Sequence, residues 1–182
     1  MNGAMAEIPS DNARTKALGG LDELLATKVF VPRPPADVVP RPRLSVKLDD
    51  GLRNGLILVT APAGVGKTVL LADWTTQLER PLAWLSLDTT DNDPVRFWRH
   101  VAHALDRVVV GIAELVRPLL VTPGSSLDRV VTTVVNALTA APTGVTLVLD
   151  DYHVIEIEAL HDSLLLLMER APPEVAVVVA AR

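Results

Sequence analysis

The chain has 182 residues, with 17 Lys and Arg against 22 Asp and Glu, and its net charge of -5 is the wrong sign for a domain that lives on nucleic-acid phosphate. Apolar residues make up 49% and charged residues 21%, which excludes general disorder and fits one globular domain with a short tail. Cysteine is absent, so disulfide frameworks, thiol catalysis and cysteine-bound zinc are excluded, and a reducing, cytoplasmic setting is expected.

Residues 1–20 mix small, polar and charged types without a period and end in Gly19-Gly20, the pattern of a disordered tail. They lack the basic and apolar regions of a signal peptide, and no run in the chain approaches the roughly 18 apolar residues of a membrane span. Residues 21–54 read as a wrap followed by a short helix from about Leu44 to Leu52. Pro32, Pro34, Pro35, Pro40 and Pro42 favour extended backbone laid on a surface.

From residue 55 to 182 the pattern is that of a folded core. Four apolar runs, LILVT (56–60), LAWLSLD (82–88), VTLVLD (145–150) and VAVVVAA (175–181), read as strands of a parallel sheet covered on both faces. Leu70, Trp74 and Leu78 form one helical stripe after the first strand. Asp93-Pro94 supplies an N-cap and first-turn proline for a helix carrying Phe97, Val101, Leu105 and Val108. Leu127, Val130, Val131, Val134, Val135 and Leu138 hold a helical period despite their β-branched content, and Ile157, Leu160, Leu164 and Leu167 mark one more helix before Pro172-Pro173. The order predicts an α/β fold, a three-layer sandwich with a parallel sheet and right-handed crossovers.

Between the first strand and its helix stands Ala61-Pro62-Ala63-Gly64-Val65-Gly66-Lys67-Thr68, the G-x-x-x-x-G-K-S/T loop with alanine in the first position. Such a loop must turn backbone N–H groups onto phosphate oxygens. Gly64 and Gly66 allow positive φ there, and the amides from Gly64 to Thr68 form the cradle at the positive end of the helix. Ala63, Gly64, Val65, Gly66, Lys67, Thr68 and Val69 are therefore the candidate nucleotide contacts. Lys67 would meet the β- and γ-phosphates, and the Thr68 hydroxyl would ligate magnesium.

The strand VTLVLD ends in Asp150-Asp151, which beside a phosphate loop reads as a Walker B acid pair. Asp150 would hold magnesium. Successive strand residues point to opposite faces, so Asp151 can turn inward to polarise an attacking water only if the strand breaks there. Strand 82–88 intervenes between the two motifs, and the expected sheet order is 82–88, 145–150, 56–60, 175–181. Arg182, after the last strand, is placed at the ligand edge of the sheet as a candidate γ-phosphate sensor.

LLATKVFVPRPPADVVPRPRL, APAGVGKTVLLADW, LAWLSLDTTDNDPVRFWRHV and LVLDDYHVI, in that order, resemble the N-terminal ATPase region of MalT-type LuxR-family transcriptional regulators, members of the STAND class of P-loop NTPases. The resemblance implies ATP or ADP as ligand with Mg2+, weak ATPase activity used as a switch, and self-association in the ATP state. It also implies that Val38 to Arg41 border the adenine and that Lys67, Asp151 and Arg182 are catalytic. A sensor domain and a helix-turn-helix are expected in that family, and these 182 residues hold a counterpart of neither, so the chain reads as a fragment from which neither direct DNA binding nor membrane attachment is expected. A small-molecule P-loop kinase and a nucleotide-binding interaction module without turnover are the alternatives.

Overall fold

A computed structural model describes residues 26–35 and 37–182; the tail expected over 1–20 lies outside the described residues. Four strands, β1 (Leu56–Thr60), β2 (Leu82–Ser86), β3 (Thr146–Asp150) and β4 (Ala176–Ala181), form one sheet in which every neighbouring pair is parallel. Six α-helices accompany it: α1 (Pro42–Gly51), α2 (Lys67–Thr75), α3 (Pro94–Asp106), α4 (Ile112–Val121), α5 (Leu127–Thr139) and α6 (Glu158–Arg170). The architecture is the expected three-layer α/β sandwich.

Alternation along the strands sorts the core into two layers. Trp84, Val148, Val178 and Ile57 lie side by side in register and face Leu48 of α1 and Leu71 and Trp74 of α2. One residue further along, Leu85, Leu149 and Val179 face the larger cluster built from α3 to α6 around Phe97, Trp98, Val134 and Leu164. The same register row ends at Leu58 on β1, which stays 63% exposed.

The strand order is β1-β4-β3-β2, so the expected order is corrected: β4, not β1, lies beside β3, and β1 stands at the edge. Burial explains the exchange. All but the last residue of β4 are buried, and its small, β-branched side chains suit a strand packed on both faces and paired on both sides, whereas Leu56, Leu58 and Thr60 of β1 are exposed.

Local signals set the start of α3. The Asp93 carboxylate accepts from the Arg96 amide at 2.8 Å and caps α3, and Pro94 fills its first turn. Helix α4 has no counterpart among the elements expected from periodicity, because Gly111, Pro118 and Pro123-Gly124 read as breakers. It forms because Ile112 and Val116 are buried and because Asp106 accepts from the Gly111 and Ala113 amides at 2.8 and 3.0 Å. Pro118 inside it carries the cost of a missing N–H donor on an exposed stretch.

Candidate functional site

Strand β1 continues past Thr60 as the Ala61 amide bonds to the Ala181 carbonyl at 3.4 Å, and the chain then curls through Gly64 and Gly66 at φ +78° and +86°. Gly66 is the N-cap of α2 and has no side chain to offer. The first-turn amides of Lys67, Thr68 and Val69 therefore have neither an intrahelical partner nor a side-chain cap, and no acidic residue occupies that turn. Such an end carries a partial positive charge aimed out of the helix.

Lys67 folds into the curl: its Nζ donates to the carbonyls of Ala61 at 2.7 Å and Pro62 at 3.2 Å, which fixes the ammonium over the loop. Thr68 points the other way, across the sheet edge. Its Oγ1 donates to Asp150 Oδ2 at 2.7 Å, tying the start of α2 to the end of β3, two strands removed from β1. Asp150 is 2% exposed, and its other oxygen accepts from the Asp151 amide at 3.0 Å. Burial pushes the Asp150 carboxyl above the ordinary aspartate range and the Asp151 charge adds to the rise, while the Thr68 hydrogen bond and the Lys67 charge oppose it. A buried carboxylate with one hydroxyl and one amide for company, near a lysine, is chemically suited to a cation.

At Asp151 the strand breaks: φ is +57°, the left-handed region, and the carboxylate stands half-exposed with its Oδ1 3.8 Å from His153 Nδ1. Arg182 is exposed and follows Ala181, which is in register with Thr60, so the backbone brings it to the mouth of the loop.

The proline-rich segment supplies the opposite wall. A cleft of about 310 Å³ lies between Asp37, Val38, Val39 and Arg41 on one side and Gly64 to Gly66, Val69 and Asp73 on the other. Arg41 Nη2 donates to the Val65 carbonyl at 3.3 Å, closing the wall onto the loop. Helix α1 holds the far end of the segment, because Asp49 Oδ1 accepts from Trp74 Nε1 of α2 at 2.8 Å. A second cleft of about 380 Å³ opens beyond Arg41, between Lys47, Lys67 and β1.

Val38, Arg41, Gly64, Val65, Gly66 and Val69 thus share one cleft, while Lys67 lines the second cleft and its neighbour Thr68 is bonded to Asp150. Ala63 lies exposed on the outside of the turn, and Asp151 and Arg182 flank these residues without lining either cleft. The sequence reading did not point to Asp37 or Asp73, which also line the first cleft, or to the buried group formed by Lys28, Asp91 and His100. The sequence carried one hint of the latter, a histidine at an apolar phase of α3.

A family model described as an AAA domain matches residues 51–180. The chain belongs to this family. Among curated relatives, the serine/threonine-protein kinase PknK of Mycobacterium tuberculosis is 35% identical over 132 residues, which are 70% of this chain and 12% of that protein. The HTH-type transcriptional regulator MalT of Cronobacter sakazakii is 31% identical over 160 residues, 87% of this chain and 18% of that protein, and MalT of Vibrio cholerae is 30% identical over 148 residues. The AAA domain therefore spans less than a fifth of the length of these relatives. A chain from the structure of Drosophila ORC bound to DNA aligns with all of this chain and 48% of its own length at a TM-score of 0.53 and 15% identity, a likeness of fold. The chain is a P-loop, AAA-type nucleotide-binding domain related to the ATPase region of MalT-type regulators, as the sequence blocks implied.

Proposed function

We propose that this AAA domain binds ATP and ADP with Mg2+ and hydrolyses ATP slowly, acting as the switch module of a STAND-class, MalT-type regulator of the LuxR family. The observation that carries the reading is the hydrogen bond from Thr68 to the buried Asp150 at the foot of an uncapped helix whose first residue is Lys67. The loop is a Walker A element, its amides from Ala63 to Val69 hold the phosphate oxygens, and Lys67 exchanges its loop carbonyls for the β- and γ-phosphates. Val38 and Arg41 border the base in the first cleft.

Thr68 and Asp150 fit a magnesium ion, which supplies charge neutralisation on the phosphates. Among the described residues no group of three or more His, Asp and Glu could hold a metal, so the rest of its shell comes from phosphate oxygens and water, as suits a hard ion that dehydrates reluctantly. Asp151, outside the strand and half-exposed, orients the attacking water, and Arg182 approaches the terminal phosphate from the end of β4. Self-association in the ATP state and a cytoplasmic setting belong to the same reading. Among the described residues no helix is long and apolar enough to cross a membrane.

Calorimetric titration with ATP and ADP in the presence of Mg2+ tests it, with Lys67→Ala as the variant. Binding by the unmodified chain and a loss of at least tenfold in the variant are expected, since a charged contact is worth on the order of 1.5–3 kcal/mol. Equal affinity in the two proteins defeats the proposal.

A further inference from the structure

Among the described residues, the wall formed by residues 30–41 is hydrogen-bonded only at its ends. Among the described residues, none from Val31 to Pro40 makes a hydrogen bond to another part of the chain. At the C-terminal end stand the Arg41 bond to Val65 and the Asp49 bond to Trp74. At the other end the turn Ala26–Val29 packs against β2 and α3, and here the chain spends something proteins seldom spend at a segment end, a buried ionic group.

Lys28 is 7% exposed, with Nζ 2.5 Å from Asp91 Oδ2 and 2.9 Å from Asp88 Oδ2. Asp91 is completely buried, and its Oδ1 lies 2.6 Å from Nδ1 of the equally buried His100 on α3. Asp91 Oδ2 also accepts from the Asp88 amide at 2.9 Å, which fixes the turn after β2. The carboxylate is thus oriented from both sides before Lys28 arrives, and among the described residues Lys28 is the member contributed by the N-terminal segment. The adjoining Phe30 ring lies 4.0 Å below the Arg107 guanidinium, a second tether at the same end.

We infer that Lys28 is a positioning residue for the base end of the nucleotide: docked on Asp88 and Asp91, it holds the proline-stiffened wall closed over the first cleft. This rests on the nucleotide reading above. Pro32, Pro34, Pro35 and Pro40 leave the wall few conformations, so fixing its two ends sets the position of Val38 and Val39 between them. Lys28 reaches neither the loop nor α2, and the phosphate end of the site is built from the loop after β1, the start of α2 and the ends of β3 and β4. Release of Lys28 therefore weakens contacts to the base and leaves contacts to the phosphates as they are. Apparent affinity scales with the fraction of closed wall, so a wall closed a tenth of the time weakens binding about tenfold.

The test compares ATP with inorganic tripolyphosphate, both with Mg2+, in the unmodified chain and in Lys28→Met. ATP affinity is expected to fall about tenfold while tripolyphosphate affinity holds within about twofold. The retained tripolyphosphate binding shows that the loop is folded. Lys28→Gln, which keeps a donor for the carboxylates, is read the same way if far-UV circular dichroism shows that Lys28→Met has not folded. An equal loss for both ligands in a folded variant, or an unchanged ATP affinity, overturns the inference while leaving the nucleotide reading intact. An unmodified chain that binds neither ligand overturns the nucleotide reading and this inference with it.

Discussion

Gly66→Ala isolates the backbone conformation on which the phosphate loop depends. The residue sits at φ +86° and ψ 35°, where a side chain meets its own backbone at a cost of about 1–2 kcal/mol. Neighbours add nothing: a Cβ at this position would meet only Arg41 Nη2 and the Val69 Cβ, both at 4.0 Å, which is ordinary van der Waals contact. The loss of stability should therefore be about 1–2 kcal/mol, read as a lower urea midpoint with an unchanged slope. If the loop relieves the strain by turning away from its left-handed conformation, the same energy appears as a loss of nucleotide affinity of about 5- to 30-fold. Gly124→Ala is the matched control, since Gly124 has φ +78° with nothing within 4 Å of an added Cβ and lies in the turn after α4, away from both clefts. It should lose similar stability and no affinity. Two results would refute the reasoning: a Gly66→Ala protein that keeps both its urea midpoint and its ATP affinity, or a Gly124→Ala protein that loses affinity equally.

The remaining predictions concern charge. Burial raises the Asp150 carboxyl, so its ionisation costs folding stability, a cost that builds as pH rises from the unfolded value and is complete above the raised folded one; Asp150→Asn should be more stable than the parent at pH 7 by chemical denaturation, and magnesium-dependent binding should be lost. The gain in stability should vanish below about pH 4, where the carboxyl is protonated in both the folded and the unfolded chain. Thr68→Val leaves Asp150 without its hydroxyl partner and should destabilise the fold by about 1–3 kcal/mol as well as removing the dependence on Mg2+. Asp88 and Asp91 shift the opposite way. Burial acts upward on both, but the Thr90 and Lys28 hydrogen bonds hold Asp88 down at about 2, and the His100 and Lys28 bonds hold Asp91 below its ordinary value. Their stabilisation is present above about pH 4 and should be lost as pH falls toward 2, seen as acid unfolding in the fluorescence of the buried tryptophans Trp74, Trp84 and Trp98.

Sequence alone determined the features whose causes lie within a few residues. Ala61 to Thr68 specifies its own curl because glycine has access to positive φ and a helix start leaves amides free; Asp93-Pro94 specifies a helix start for the same kind of reason, and the four apolar strands announce a sheet buried on both faces. The separation of Asp150 from Asp151 was legible too, since alternation along a strand demands a break if both acids are to turn toward one site.

Tertiary structure decided whatever depends on partners distant in the chain. Apolar strands do not encode which neighbour they take, and β4 won the place beside β3 because its buried, small side chains tolerate packing on both faces better than those of β1. Helix α4 persists around Pro118 because Ile112 and Val116 find a core and Asp106 reaches forward to cap its start. Lys28 and Asp91 read individually as ordinary polar residues; only folding brings a lysine 63 residues along the chain to a buried carboxylate, and an ion pair in a low dielectric is defined by that distance.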